Sequence, residues 1–76
     1  MKGDNEMTFR GKQWQRHGNH YNLVGTRINV YQWNTGADAN FLVEELGRGT
    51  YTVHGKGAAA RDAAIKMAFN LAGKEM

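Results

Sequence analysis

The sequence predicts an α+β fold in which three or four antiparallel strands form a meander and one C-terminal helix packs on it, giving two layers. Two observations support this class. Residues 7–54 alternate apolar with polar side chains or are rich in β-branched and aromatic types, which is typical of strands. Residues 55–73 instead have a helical period. Because the strands precede a single helix, the helix must cover one face of the sheet.

The helix prediction depends on alanine content and on spacing. Six of the residues from Ala58 to Ala68 are alanine, which is the best helix former. Apolar residues then recur at spacings of three and four and so form one face. They are Ala60, Ala64, Met67 and Leu71, and Ile65, Ala68, Phe69 and Ala72 widen the face. Gly73 is predicted to provide the left-handed C-terminal cap.

The strand region divides at segments rich in glycine, asparagine and aspartate, namely 17–19, 34–38 and 47–49. The predicted strands are 7–16, 20–34, 40–46 and 50–54. Alternation in the second strand breaks at Gly25, which indicates a bulge or, as the alternative, a tight hairpin. Tyr31 and Trp33 are predicted to face away from Ile28 and Val30 because their positions have opposite parity.

The length of the chain limits its organisation. With 76 residues we expect a single small α+β domain over residues 1–76, with residues 1–6 frayed. A domain of this size buries only about 60% of its unfolded surface, which leaves little room for a deep substrate pocket. The chain has no cysteine and no apolar run of membrane-spanning length. We therefore expect a cytoplasmic protein without a membrane partner.

The residue types needed for most catalytic sites are missing. The chain contains neither serine nor cysteine, the two commonest nucleophiles. Glu44 and Glu45 are adjacent in a strand, so they point to opposite faces and cannot act as a carboxylate pair. His17, His20 and His54 lack the cysteine or carboxylate partners that a metal site needs. We therefore predict no enzymatic activity, no cofactor, no metal and no small-molecule substrate.

One strand face is predicted to be basic. The net charge of +3 is concentrated at the two ends of the chain, because residues 1–20 carry four Lys or Arg against two acids and residues 55–76 carry the same excess. Alternation places four side chains on one side of the first strand: Arg10, Lys12, Trp14 and Arg16. Cations about 6.6 Å apart roughly match the phosphate spacing of a nucleic-acid strand. The alternative is a solvated edge whose charges prevent aggregation.

Two further groups are candidates for partner binding. Tyr31 and Trp33 share a face, where they are either exposed interface anchors beside the basic stripe or half-buried core of a small sheet. At the predicted helix start, Lys56 and Arg61 lie beside free N–H groups and would suit an anion. The alternative there is that glycine and water satisfy the helix end.

Residues 55–71, GKGAAARDAAIKMAFNL, resemble the last motif of double-stranded RNA-binding domains. Gly55, Gly57, Arg61 and Ala63 fit the spacing of that motif, which has a glycine-x-glycine loop followed by an alanine-rich helix. At three further positions this chain has alanine where the family has a serine and two phosphate-binding lysines: Ala59, Ala60 and Ala64. The resemblance implies contacts with a nucleic-acid backbone.

The chain as a whole is similar in type to small phage-encoded inhibitors such as anti-CRISPR proteins, which are small and commonly act by docking on a host defence complex. This resemblance implies a host protein or nucleoprotein complex as the partner. The leading expectation is therefore a non-enzymatic phage or mobile-element accessory protein that inhibits such a complex. The alternative is a small nucleic-acid-binding domain that uses the basic face and the helix start, with weak and non-specific affinity.

Overall fold

The computed structural model describes residues 6–75 and confirms the α+β class. Six strands form one antiparallel sheet in which each strand lies beside its neighbour in sequence. The strands are β1 (Glu6–Phe9), β2 (Lys12–His17), β3 (His20–Leu23), β4 (Ile28–Trp33), β5 (Asn40–Glu45) and β6 (Gly49–Thr52). The helix α1 spans Gly57–Glu75. The segment predicted to fray lies outside the described residues except for Glu6, which begins β1.

The sheet has six strands rather than three or four because two predicted strands are hairpins. Residues 7–16 fold back on themselves, so that Phe9 pairs with Lys12. Arg10 and Gly11 form the two-residue turn with φ angles of 54° and 79°. Positive φ at both central residues matches the twist of the flanking strands, which is what a two-residue hairpin needs.

The second predicted strand is also divided, at Gly25. The hairpin alternative is correct and the bulge is wrong, since β3 ends at Leu23 and β4 begins at Ile28. Gly25 has φ 87°, and the Thr26 N–H donates to the Leu23 carbonyl at 3.0 Å. Turns lie at both predicted places with slightly different bounds, at 18–19 between β2 and β3 and at 46–48 between β5 and β6. The loop at 34–38 contains a short 3-10 helix, Gly36–Asp38.

The helix covers one face of the sheet and packs mainly against β4 and β5. Directly paired residues of neighbouring strands share a face, so Val30 and Val43, which pair with each other, lie together beneath α1. We call this side the helix-side face. The buried residues of the core are Trp14, Leu23, Ile28, Val30, Ala39, Phe41, Val43 and Val53, with Ala60, Ala64, Ile65, Ala68 and Ala72 from the helix.

The predicted apolar face of the helix is confirmed, with its centre on alanine. Ala60, Ala64, Ala68 and Ala72 are buried, whereas Met67, Phe69 and Leu71 are partly buried at its flanks. Gly73 does not cap the helix, because α1 continues to Glu75 without a positive φ at that glycine. Within residues 6–75, α1 included, no helix has the length and apolar character needed to cross a membrane.

Candidate functional site

The opposite side of the sheet has no element packed on it among the described residues, and we call it the open face. Strand alternation and the pairing register identify the side chains that point there. They are Glu6, Thr8, Gln13, Gln15, His17, His20, Asn22, Asn29, Tyr31, Trp33, Asn40, Leu42, Glu44, Thr50 and Thr52. An antiparallel sheet with one solvated face normally carries mainly polar residues there. The aromatic side chains on this face are therefore its informative feature.

Four rings form a continuous row across the open face, which we call the aromatic row: His17, His20, Tyr31 and Trp33. His17 and His20 pair across the β2–β3 hairpin, and their ring centroids are 5.4 Å apart. His20 pairs with Tyr31 of β4, with 4.7 Å between centroids. Trp33 follows two residues along β4, its ring 6.0 Å from that of Tyr31. All three contacts are stacked, and the separations lie within the favourable range for aromatic pairs.

A ladder of polar side chains beside the aromatic row holds Tyr31 in place. The Glu44 carboxylate oxygen Oε1 accepts hydrogen bonds from the Tyr31 hydroxyl at 3.0 Å and from the Asn29 amide at 3.1 Å. The Asn29 side-chain oxygen in turn accepts from Asn22 Nδ2 at 3.1 Å. These residues lie side by side on β3, β4 and β5, so the ladder links the three central strands. It fixes the position of the Tyr31 side chain on the open face.

The surroundings of Tyr31 on the open face alter its titration. Burial of its hydroxyl raises the pKa of Tyr31 above its ordinary value of 10.0, and the hydrogen bond and negative charge of Glu44 raise it further. Each effect favours the protonated phenol. The hydroxyl therefore remains a hydrogen-bond donor to Glu44 throughout the neutral range.

The open face is also distinguished by its charge. None of its strand positions among the described residues is lysine or arginine, and its formal charges are those of Glu6 and Glu44. The lysines and arginines of residues 6–75 lie elsewhere, on the helix-side face, in turns and loops and on α1. A nucleic-acid backbone laid across the open face would therefore meet carboxylates rather than cations.

The predicted basic stripe does not form as one exposed surface. Lys12, Trp14 and Arg16 do share a face, but it is the helix-side face, and Arg10 lies in the β1–β2 turn. Trp14 is only 3% exposed, and its ring packs 6.0 Å from that of Phe69 on α1. Its indole N–H donates to the Phe9 carbonyl at 3.4 Å. Because the ring is covered by the helix, Trp14 cannot stack on a base.

The arginines of that stripe are engaged within the chain. The Arg10 guanidinium contacts the Asp62 carboxylate of α1 at 2.7 Å. Arg16 donates to the Gly18 carbonyl at 3.1 Å, and its guanidinium lies 5.9 Å from the centre of the Tyr21 ring. Two of the three predicted cations, Arg10 and Arg16, are therefore already paired within the chain.

Tyr31 and Trp33 point away from Ile28 and Val30, as predicted. They are not beside the basic stripe, because Lys12 and the other stripe residues of β2 lie on the opposite side of the sheet. Tyr31 is half-buried and Trp33 is 46% exposed. The exposure of the two rings therefore differs, with Tyr31 half-buried in the sheet and Trp33 presented to solvent.

The helix start is partly satisfied from within the chain. Gly57 begins α1 with φ 75°, and its N–H donates to the Ala39 carbonyl at 2.9 Å. Lys56 is exposed in the preceding loop, and Arg61 lies 3.5 Å from Asp62. The two predicted anion-binding cations are thus a loop residue and a helix residue with a carboxylate partner.

From the sequence, His17 and His20 were candidates only as metal ligands, and their place in the aromatic row was not predicted. A signal was available, because the two histidines flank a two-residue turn and must then share a face. Within the part of the chain that the structure describes, no group of three or more histidine, aspartate or glutamate side chains is arranged to hold a metal ion.

The comparisons with known proteins add no further assignment to this geometry. No protein-family model matches the chain, and no match was found among curated proteins or solved structures.

Proposed function

We propose that this protein is a non-enzymatic, cytoplasmic binding protein that docks on a protein partner through its open face. The observation that carries the proposal is the aromatic row, four stacked rings on the side of the sheet that α1 leaves uncovered. Interface cores are enriched in aromatic residues and depleted of charged ones. Trp33, the most exposed ring of β4, has the residue type that most often dominates binding energy.

The rigidity of the site favours binding further. Tyr31 is held by its hydrogen bond to Glu44 and by rings on both sides, from His20 and Trp33. A side chain that is already ordered loses little conformational entropy when a partner covers it, whereas each newly ordered side chain costs about 0.5–1.5 kcal/mol. The aromatic row is therefore a pre-formed anchor.

A nucleic-acid partner is the second candidate, because stacked aromatic side chains also provide platforms for bases. Charge argues against it on this face. Nucleic-acid affinity depends mainly on neutralising phosphates with lysine and arginine, and the described strand positions of the open face have neither. We expect nucleic acid to bind weakly and with strong salt sensitivity, through cations outside this face such as Lys12 and Lys56.

The resemblance in type to small phage-encoded inhibitors makes a bacterial host complex the first partner to test. In this proposal the protein is a phage or mobile-element accessory factor, and it inhibits the complex by occupying a surface that the complex needs. Its activity then requires contact area and affinity, with no reaction centre.

The test is affinity capture from a bacterial lysate with three proteins: the parent chain, Trp33→Ala and Tyr51→Ala. Tyr51 is the matched control, because it is an aromatic residue of similar exposure, 39% against 46%, on the helix-side face of β6. Each capture is repeated after nuclease treatment. Thermal unfolding of each variant shows that a loss of capture does not come from a loss of fold.

We expect one protein complex to be retained by the parent chain and by Tyr51→Ala, with and without nuclease. Trp33→Ala should lower the affinity at least tenfold, in the range of an interface hot spot. If nuclease abolishes all capture, the nucleic-acid candidate replaces the proposal. Equal capture by Trp33→Ala and the parent chain would show that the open face is not the docking surface.

A further inference from the structure

A cavity of about 190 Å³ opens on the helix-side face, between the first half of α1 and strands β1 to β5. It exists because α1 packs mainly on β4 and β5 and leaves part of β1, β2 and β3 uncovered. Its walls are apolar and largely aromatic, formed by Phe9, Trp14, Tyr21, Phe41 and Ile65. It lies on the opposite side of the sheet from the aromatic row.

The cation among the lining residues is Arg61 of α1, whose side chain is half exposed. The Asp62 carboxylate beside it is 2.7 Å from the Arg10 guanidinium and 3.5 Å from that of Arg61. Two guanidinium groups against one carboxylate leave a formal charge of +1. Since a guanidinium has five N–H donors and Arg61 makes one long contact to Asp62, it has donors left for a ligand.

The Arg10–Asp62 contact lies beside the cavity. It joins the β1–β2 turn to α1, across a separation of 52 residues in sequence. Phe9, which precedes that turn, forms one wall of the cavity, and Ile65 of the helix forms another. The cavity is therefore bounded by two elements joined by an ion pair.

We infer that this cavity binds a small monocyclic aromatic carboxylate, with its ring against the apolar walls and its carboxylate at Arg61. The volume of the cavity fits a single aromatic ring, because an apolar cavity of about 150 Å³ holds a benzene molecule and this cavity is somewhat larger. The positive charge of Arg61 favours a carboxylate on that ring, since arginine binds carboxylates through paired hydrogen bonds. The ligand is bound without turnover, and the inference is independent of the proposed function.

The test uses fluorescence of Trp14 and two probes of nearly equal shape, benzoate and its neutral analogue benzamide. The chain has two tryptophans, so Trp33→Phe leaves Trp14, a wall of the cavity, as the only tryptophan. In this background each probe is titrated against the parent helix, against Arg61→Gln and against Lys66→Gln. Lys66→Gln is the matched control, because it removes one positive charge from an exposed position of the same helix.

We expect saturable quenching of Trp14 by both probes, with benzoate bound roughly fivefold to tenfold more tightly because its carboxylate forms a charge-assisted contact. Arg61→Gln should abolish that preference and leave benzamide binding unchanged. Lys66→Gln should preserve the preference.

Two results would overturn the inference. Equal affinity for benzoate and benzamide in the parent helix would mean that the cavity takes neutral rings, such as an aromatic side chain of a partner. The absence of saturable quenching by either probe would mean that the cavity binds no such ring. Neither result bears on the open face, and Tyr51→Ala or Trp33→Ala should leave benzoate affinity as it is.

Discussion

A carboxylate placed at Ala64 tests whether the alanine stripe of α1 is the surface that packs on the sheet. Ala64 is fully buried, whereas the adjacent Ala63 is exposed. The two residues are neighbours in the same helix, so aspartate at either position has nearly the same helix propensity and nearly the same place in the helix dipole. Comparing Ala64→Asp with Ala63→Asp therefore isolates the cost of burying an unpaired carboxylate.

The magnitude follows from that burial. Aspartate costs about 0.5–0.7 kcal/mol relative to alanine at either position through helix propensity alone. At Ala64 the unpaired charge adds about 3–5 kcal/mol, which is the usual effect of an uncompensated buried charge. A 76-residue domain has a total free energy of unfolding of roughly 4–11 kcal/mol. Ala64→Asp should therefore remove a large part of the stability, and Ala63→Asp only a small part.

Urea unfolding followed by circular dichroism at the helix band measures both variants. We expect the free energy of unfolding of Ala63→Asp to stay within about 1 kcal/mol of that of the parent chain. The free energy of unfolding of Ala64→Asp should be lower by at least about 3 kcal/mol. Burial raises the pKa of the introduced carboxyl, so the deficit of Ala64→Asp should shrink as the pH falls toward 4. Equal unfolding midpoints for the two variants would refute the packing of α1 described here.

Two further predictions concern Tyr31 and the helix glycines. The pKa of Tyr31 is raised in the folded state, so the protonated hydroxyl contributes to the free energy of unfolding. This contribution is complete below about pH 10 and is lost as the pH rises through the pKa that Tyr31 has in the folded protein. Phenolate absorbance should show one late-titrating tyrosine that Tyr31→Phe removes, and its persistence in that variant would contradict the hydrogen bond to Glu44. Gly57→Ala should cost about 1–2 kcal/mol, because φ is 75° and a Cβ would lie 3.3 Å from the Ala37 carbonyl oxygen. Gly73→Ala lies in helical backbone and should instead stabilise the helix by about 0.5–1 kcal/mol. A higher unfolding temperature for Gly57→Ala than for Gly73→Ala would contradict both predictions.

The fold class was predictable because it depends on short-range patterns, and the number of strands was not. Alanine spacing specified the helix, and the parity of Tyr31 and Trp33 specified their face. The β1–β2 turn was missed because two-residue turns with positive φ usually carry Asn-Gly or Asp-Gly, whereas here arginine occupies the first position at φ 54°. Because this turn was not predicted, β1 and β2 were predicted as the single strand 7–16.

The candidate site was only partly predictable, because its exposure depends on which face the helix covers. Alternation correctly grouped Lys12, Trp14 and Arg16, but sequence periodicity does not say on which side α1 returns from β6. The helix lies on the side of Trp14, which buries that ring and leaves Tyr31 and Trp33 on the other face. The aromatic row itself arises from cross-strand pairing, which becomes visible only once the register is known.

The most direct test of the open face as the protein-docking surface uses the two tryptophans as reporters on opposite sides of the sheet. Chain labelled with 5-fluorotryptophan should give two fluorine signals, which Trp33→Phe assigns. On addition of the captured partner, we expect the Trp33 signal to shift or broaden in proportion to the partner added, while the buried Trp14 signal stays unchanged. A change confined to Trp14, or a Trp33 signal that responds to nucleic acid and not to the partner, would contradict protein docking through the open face.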